Sequence, residues 1–177
     1  MLREKSIIEK ALEQAGLSML ARAKTAPKAK GVDSLEYILL EKEDFPALIE
    51  EMDKQGRQHD IPFFIRDAKN LENTHMLLLI GCIDEPRNVP NCGFCGYADC
   101  IENRKHRGRC VYPNIDLGIA LGSALSLGQS LGVDSRVMMT MGKAAMSLNL
   151  FEKPVVTVIA LPLSFSSKSI FFDRATS

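Results

Sequence analysis

Residues 76–83 read MLLLIGCI, and the placement of this run decides how the rest of the chain must fold around it. Eight uncharged, mostly apolar residues are the length of a strand, and the absence of any apolar–polar alternation fits a strand covered on both faces. On its N-terminal side, Asp44 can cap a helix running to about Gln58 with Pro46 in the first turn, and a short helix can follow Pro62. Residues 35–41, LEYILLE, have strand composition. Residues 4–23 read as an amphipathic helix, with Ile7, Ile8, Ala11, Leu12, Ala15, Met19 and Leu20 at three- and four-residue spacing. On the C-terminal side, a helix over about 114–131 stops at Gly132, SRVMMT (135–140) is a short strand, 142–151 a helix and PVVTVIALPL (154–163) a strand. A polar tail ends in FFDRATS. Helices and strands alternate, which predicts an α/β sandwich: a mixed sheet covered by helices, as one domain over 1–177.

Between the run at 76–83 and the helix at 114 lies a segment of different character, residues 84–113: DEPRNVPNCGFCGYADCIENRKHRGRCVYP. It holds three prolines and four cysteines and has no sustained period. A loop of that length inserted in a compact domain is usually functional. Its core, Cys92-Gly-Phe-Cys95-Gly-Tyr-Ala-Asp-Cys100 with Cys110 beyond, has the spacing C-x2-C-x4-C-x9-C. Four thiolates on one compact loop are what an iron–sulfur cluster needs. Gly93 and Gly96 let the backbone wrap tightly and aim N–H groups at sulfur, and such hydrogen bonds tune reduction potential. Arg104, Lys105, His106, Arg107 and Arg109 lie between the third and fourth ligands, where they can offset cluster charge or form a solvated surface.

Structural zinc also takes four cysteines, but usually as two short pairs across a longer spacer, whereas here three crowd together and one stands apart. A thioredoxin-like dithiol at Cys92 and Cys95 leaves the other two unexplained. Buried free thiols do not suit a polar, Gly- and Pro-rich loop. Plant-type [2Fe–2S] loops carry the reverse order of spacings, which favours [4Fe–4S]. Cys82, inside the apolar run, reads as a buried thiol packed as a small hydrophobe, with an alternate-ligand role as the other option.

Bulk properties narrow the partners. The chain has 177 residues, 46% hydrophobic, with 22 basic and 22 acidic side chains. A neutral chain has no global field to draw nucleic acid or an anionic membrane. No apolar run reaches the roughly 18 residues of a membrane span, and the charged N-terminus has no signal-peptide stretch. A cytoplasmic location follows, where cysteines stay reduced; five is also an odd count for a paired framework.

CGFCGYADC, then DLGIALGSALSLGQSLGVDSRVMMTMGKAA (116–145), IALPLS and a late FFDR resemble the ferredoxin-domain proteins of the DUF2148 family. The resemblance implies an iron–sulfur cofactor without supplying a reaction. The order of elements, with ARAKTAPKAKGVDSLEYILLE (21–41) carrying an Ala-Pro turn before the first strand, is similar to the nitroreductase-like flavoproteins. That likeness implies a nitroreductase-like fold, a homodimer, and flavin mononucleotide (FMN) bound between subunits. Lys24, Lys28 and Lys30 are then either phosphate contacts or a surface basic loop.

His59 and His75 stand apart from the cysteines and His106 lies nearer them; each reads first as an ordinary polar residue. Glu50–Glu51 and Asp84–Glu85 read as solvated charges. There is no P-loop, G-x-S-x-G, HExxH or Rossmann glycine pattern. No catalytic residue is assigned. Three functions remain: a ferredoxin-like electron-transfer protein serving a redox partner protein or small acceptor, an FMN-dependent reductase with an accessory cluster, and a non-catalytic module stapled by zinc or a cluster.

Overall fold

The computed structural model describes residues 1–171, so the FFDRATS tail from residue 172 on lies outside the described residues. The chain runs through α1 (Glu4–Thr25), β1 (Leu35–Leu40), α2 (Phe45–Gln58), α3 (Pro62–Glu72), β2 (Met76–Ile83), α4 (Cys100–Lys105), α5 (Tyr112–Ser130), β3 (Asp134–Ser135), α6 (Met139–Ser147) and β4 (Val155–Ser164). The strands form one sheet in the order β1-β2-β4-β3.

β2, the apolar run, is central, and seven of its eight residues are buried. Successive side chains of a strand point to opposite faces. Met76, Leu78, Ile80 and Cys82 accordingly pack with Leu12, Met19, Ala120 and Ala124 from α1 and α5. Leu77 and Leu79 pack with Leu48 and Met52 of α2, Phe64 and Leu71 of α3, and Met141 and Ala144 of α6. The result is the expected α/β sandwich, three layers deep.

Every pairing is antiparallel, where the alternation of elements suggested a mixed sheet. For β1 and β2 the connection explains it. A single crossing helix returns the chain to the starting end and yields a parallel strand. Here β1 reaches β2 through two helices packed on each other, α2 and α3. Two local details also depart from expectation. Asp44 Oδ2 accepts from Glu41 N at 3.0 Å and so closes the turn before α2 rather than capping α2 itself. The strand expected at 135–140 shrinks to Asp134–Ser135 plus a bridge from Met138 to Ala160, because α6 already begins at Met139.

Small residues set two close approaches. On α5, Asp116, Ala120, Ala124 and Gly128 recur every four residues and are buried; a Cβ on Gly128 would stand 2.9 Å from the Met19 side chain of α1. On α6, a Cβ on Gly142 would stand 2.2 Å from Val158 O and 2.7 Å from Val158 C. That obstacle is strand backbone paired with Gly81 and cannot swing aside as a side chain can. Gly142→Ala is therefore expected to destabilise the protein by about 3 kcal/mol, the upper part of the overpacking range, despite alanine's better helix propensity. Urea unfolding at unchanged m-value checks this; a midpoint equal to wild type would show that α6 can lift off β4 freely.

Candidate metal centre

β2 ends at Ile83 and the chain leaves the sheet. The segment 84–113 is irregular up to residue 99, and then α4 forms inside it where no period was expected. The signal for this helix was present but local. Asp99 and Glu102 have capping-box spacing, and the Asp99 side chain accepts from Glu102 N at 2.8 Å. Cys100 opens α4, while Cys92 and Cys95 lie on the turns before it. Those turns need glycine: Gly93 has φ 62° and Gly96 has φ 84°, and Gly96 N donates to Gly93 O at 2.9 Å.

Cys92, Cys95, Cys100 and Cys110 all line one cavity. All four are free thiols of intermediate exposure. Among the described residues, no three His, Cys, Asp or Glu side chains converge as ligands of a single metal ion. The thiols stand instead around a shared hollow, and four soft thiolate donors with tight glycine turns between them form a donor set that fits an iron–sulfur cluster.

The fourth cysteine is tied to the others by residues that sequence reading passed over. Asp84 is not a solvated charge: its side chain is 14% exposed, Oδ1 accepts from Cys110 N at 3.0 Å and Oδ2 from Arg104 Nη1 at 2.6 Å. Asn103, buried on α4, donates to Arg109 O at 3.2 Å and lines the cavity. The x9 gap between Cys100 and Cys110 is thus folded back as a helix and a pinned turn.

The basic run between those cysteines mostly binds protein. Arg104 holds Asp84, Lys105 and His106 reach Glu102 at 3.2 and 3.0 Å, and Arg109 donates to Val156 O at 3.0 Å. His106 also stacks on Tyr97 with ring centroids 5.4 Å apart. The arginine among the residues that line the cavity is Arg87, which the sequence did not single out. Arg87 is 2% exposed and donates to Glu85 O, Val32 O, Ser34 Oγ and Asp116 Oδ2 at 2.8, 3.0, 2.6 and 3.0 Å. Asp116, equally buried, also accepts from Ala29 N at 2.9 Å. One ion pair thereby joins the cysteine loop to α5 and to the loop before β1. Tyr112, the first residue of α5, lines the cavity too. Its phenol is pushed above the ordinary range by desolvation, then by a hydrogen bond to Cys92 and the charge on Cys92 and Cys110.

Cys82 is set apart. It is fully buried among the α1 and α5 side chains, and burial pushes its thiol up, against the opposing effect of hydrogen bonding with Thr157. A metal-free, reduced sample is therefore expected to give four thiols quickly to an alkylating reagent and the fifth only on unfolding. Mass spectrometry of the labelled protein would show it, and rapid labelling at Cys82 would count against its burial.

Two of the three lysines of the early loop, Lys24 and Lys28, are engaged elsewhere. Lys28 Nζ donates to Ala23 O, Lys24 O and Ala26 O at 2.7–2.9 Å, closing the end of α1, and Lys24 pairs with Asp33 at 2.5 Å. Lys30 occupies a left-handed turn with φ 58°. His59 is exposed at the end of α2; His75 precedes β2, and its Nδ1 lies 3.4 Å from Ser164 Oγ.

Solved structures similar to this chain include nitroreductases and a BluB-like flavoprotein. A BluB-like flavoprotein from Clostridium difficile 630 superposes with a TM-score of 0.56 at 17% identity, covering 93% of this chain and 83% of that one. Nitroreductase A from Vibrio parahaemolyticus superposes with a TM-score of 0.57 at 10% identity, covering 89% of this chain and 60% of its own length. At such identities the likeness is one of fold, and the nitroreductase-like architecture is established by it. In sequence, an uncharacterized protein of Archaeoglobus fulgidus is 36% identical over 99% of this chain and 98% of its own length. The family model described as an uncharacterized protein containing a ferredoxin domain, DUF2148, matches residues 107–174, a span that takes in Cys110 and begins after the other three loop cysteines. With that match and a full-length relative beside it, the chain belongs to the DUF2148 family of ferredoxin-domain proteins.

Proposed function

We propose that this protein is a ferredoxin-like electron-transfer protein that holds one iron–sulfur cluster, of [4Fe–4S] type, through Cys92, Cys95, Cys100 and Cys110. The observation that carries the reading is the meeting of all four free thiols on one cavity, separate from buried Cys82. When bound, such a cluster supplies a one-electron couple whose potential depends on its type, charge and hydrogen bonding. The chain's own contribution is positional. Gly93 and Gly96 turn the backbone between ligands, Asp99 starts the helix that presents Cys100, and Asp84 fixes the backbone of Cys110.

Anaerobic purification with iron, sulfide and zinc analysis and a visible spectrum tests this. About four irons with matching sulfide per chain support [4Fe–4S], and about two would replace it with [2Fe–2S]. A colourless protein with one zinc would overturn the redox reading in favour of a metal staple, whose removal loosens the loop without abolishing electron transfer.

A second reading, an FMN-dependent reductase in which the cluster is accessory, is favoured by the fold shared with the BluB-like flavoprotein. Flavin bands that survive gel filtration after incubation with FMN would support it, and their absence would remove it. In either case we read the protein as a homodimer. The outward face of α5 carries Ile115 and Ile119, 42% and 40% exposed, beside Gly118 and Gly122, where an added Cβ would meet no other part of the described chain within 4 Å. Sedimentation equilibrium decides that point. Among the described residues no helix is long and apolar enough to cross a membrane, and thiol ligands suit the reducing cytoplasm where we place the protein.

A further inference from the structure

Arg87 is an unusual neighbour for four cysteines. Its side chain is wholly inaccessible, and a guanidinium stays charged at any pH the protein meets. Nη1 and Nη2 are directed at Glu85 O, Val32 O, Ser34 Oγ and Asp116 Oδ2. The fifth N–H, on Nε, is buried and has no acceptor among the described residues. A charged donor is seldom left so, because burial strips its water and offers nothing in return. Arg87 lines the cavity that the four cysteines line, whereas Asp116, its carboxylate partner, is not among the lining residues. Of the two partners, Arg87 is the one that borders the thiols' hollow.

On the reading that the four cysteines hold a cluster, we infer that Arg87 Nε–H donates to a sulfur of the cluster or its ligands, and that Arg87 raises the reduction potential by stabilising the more negative, reduced state. Arg87 is then a positioning and tuning residue, held rigid by Asp116, Ser34 and two carbonyls, and not itself a ligand. The basic run at 104–109 has less part in this, since Arg104, Lys105, His106 and Arg109 bond to protein groups.

The test is an equilibrium redox titration of wild type and Arg87→Lys, each loaded anaerobically and matched for iron and sulfide. Lysine keeps the charge beside Asp116 but has no Nε–H to give. The potential of Arg87→Lys is expected to fall by the equivalent of at least a tenfold shift in the reduction equilibrium, about 59 mV for one electron. An unchanged potential at full iron content would reduce Arg87 to a strut and overturn the inference. Should Arg87→Lys not load, wild-type protein labelled with ¹⁵N-arginine decides. Pulsed EPR of the reduced state should show a weak arginine nitrogen coupling, and its absence overturns the inference. Wild type that binds no iron and sulfide is a different failure, because it removes the cluster itself.

Discussion

Cys95→Ser is expected to leave the protein with little or no iron after anaerobic reconstitution, with the visible absorption lost in parallel. Serine occupies the same volume but offers an oxygen in place of a soft thiolate, and the remaining three cysteines cannot close the donor set. Altering groups that merely support a ligand costs about 10–100-fold in metal affinity, so loss of a ligand should exceed that. The same outcome is expected at Cys92, Cys100 and Cys110, since all four thiols line the one cavity. Cys82→Ala is the contrasting variant. It removes a fully buried thiol from the α1/α5 core and should lower stability while leaving iron content at the wild-type value. Full iron content in Cys95→Ser, or its loss in Cys82→Ala alone, would show that the ligand set is wrong. Circular dichroism of each variant separates lost iron from lost fold.

The part of this site that could be read in the sequence is the part that is local. The cysteine spacing, the glycines between ligands and the separation of Cys82 by its apolar surroundings are all features of a few adjacent residues, and so is the strand at 76–83. What escaped reading depends on distant segments meeting. Arg87 sits in a polar loop and looks solvated until Val32, Ser34 and Asp116, up to 55 residues away, are folded over it. Asp84 looks like one of two adjacent acids until Cys110, 26 residues on, bonds to it. The antiparallel pairing of β1 with β2 escaped for the same reason, because its direction depends on the two helices packed in the connection and not on either strand's own residues. α4 is the exception: Asp99 and Glu102 mark its start locally, but six residues are too few to show a helical period.

Asp116→Ala should cause the largest loss of stability of any single substitution near the site, about 3 kcal/mol or slightly more. Removing one partner of a buried ion pair leaves the other as an uncompensated charge, at a cost of about 3–5 kcal/mol. The lower part of that range applies because Arg87 keeps Glu85 O, Val32 O and Ser34 Oγ as acceptors. The Glu85 carboxylate adds little compensation, being 3.9 Å away and 52% exposed. Asp116→Ala also strips the acceptor from Ala29 N and so loosens the loop before β1. Urea unfolding of metal-free protein measures the cost, and a change within about 0.5 kcal/mol of wild type, the usual scale for surface substitutions, would show that the pair is not buried in solution. Replacing both partners at once, as Arg87→Met with Asp116→Leu, should recover much of the loss, since two apolar groups leave no orphaned charge. That recovery separates the two duties assigned to the pair. If the double variant regains stability and still reduces at the lower potential expected of Arg87→Lys, the packing role belongs to the pair and the electrostatic role to Arg87 alone.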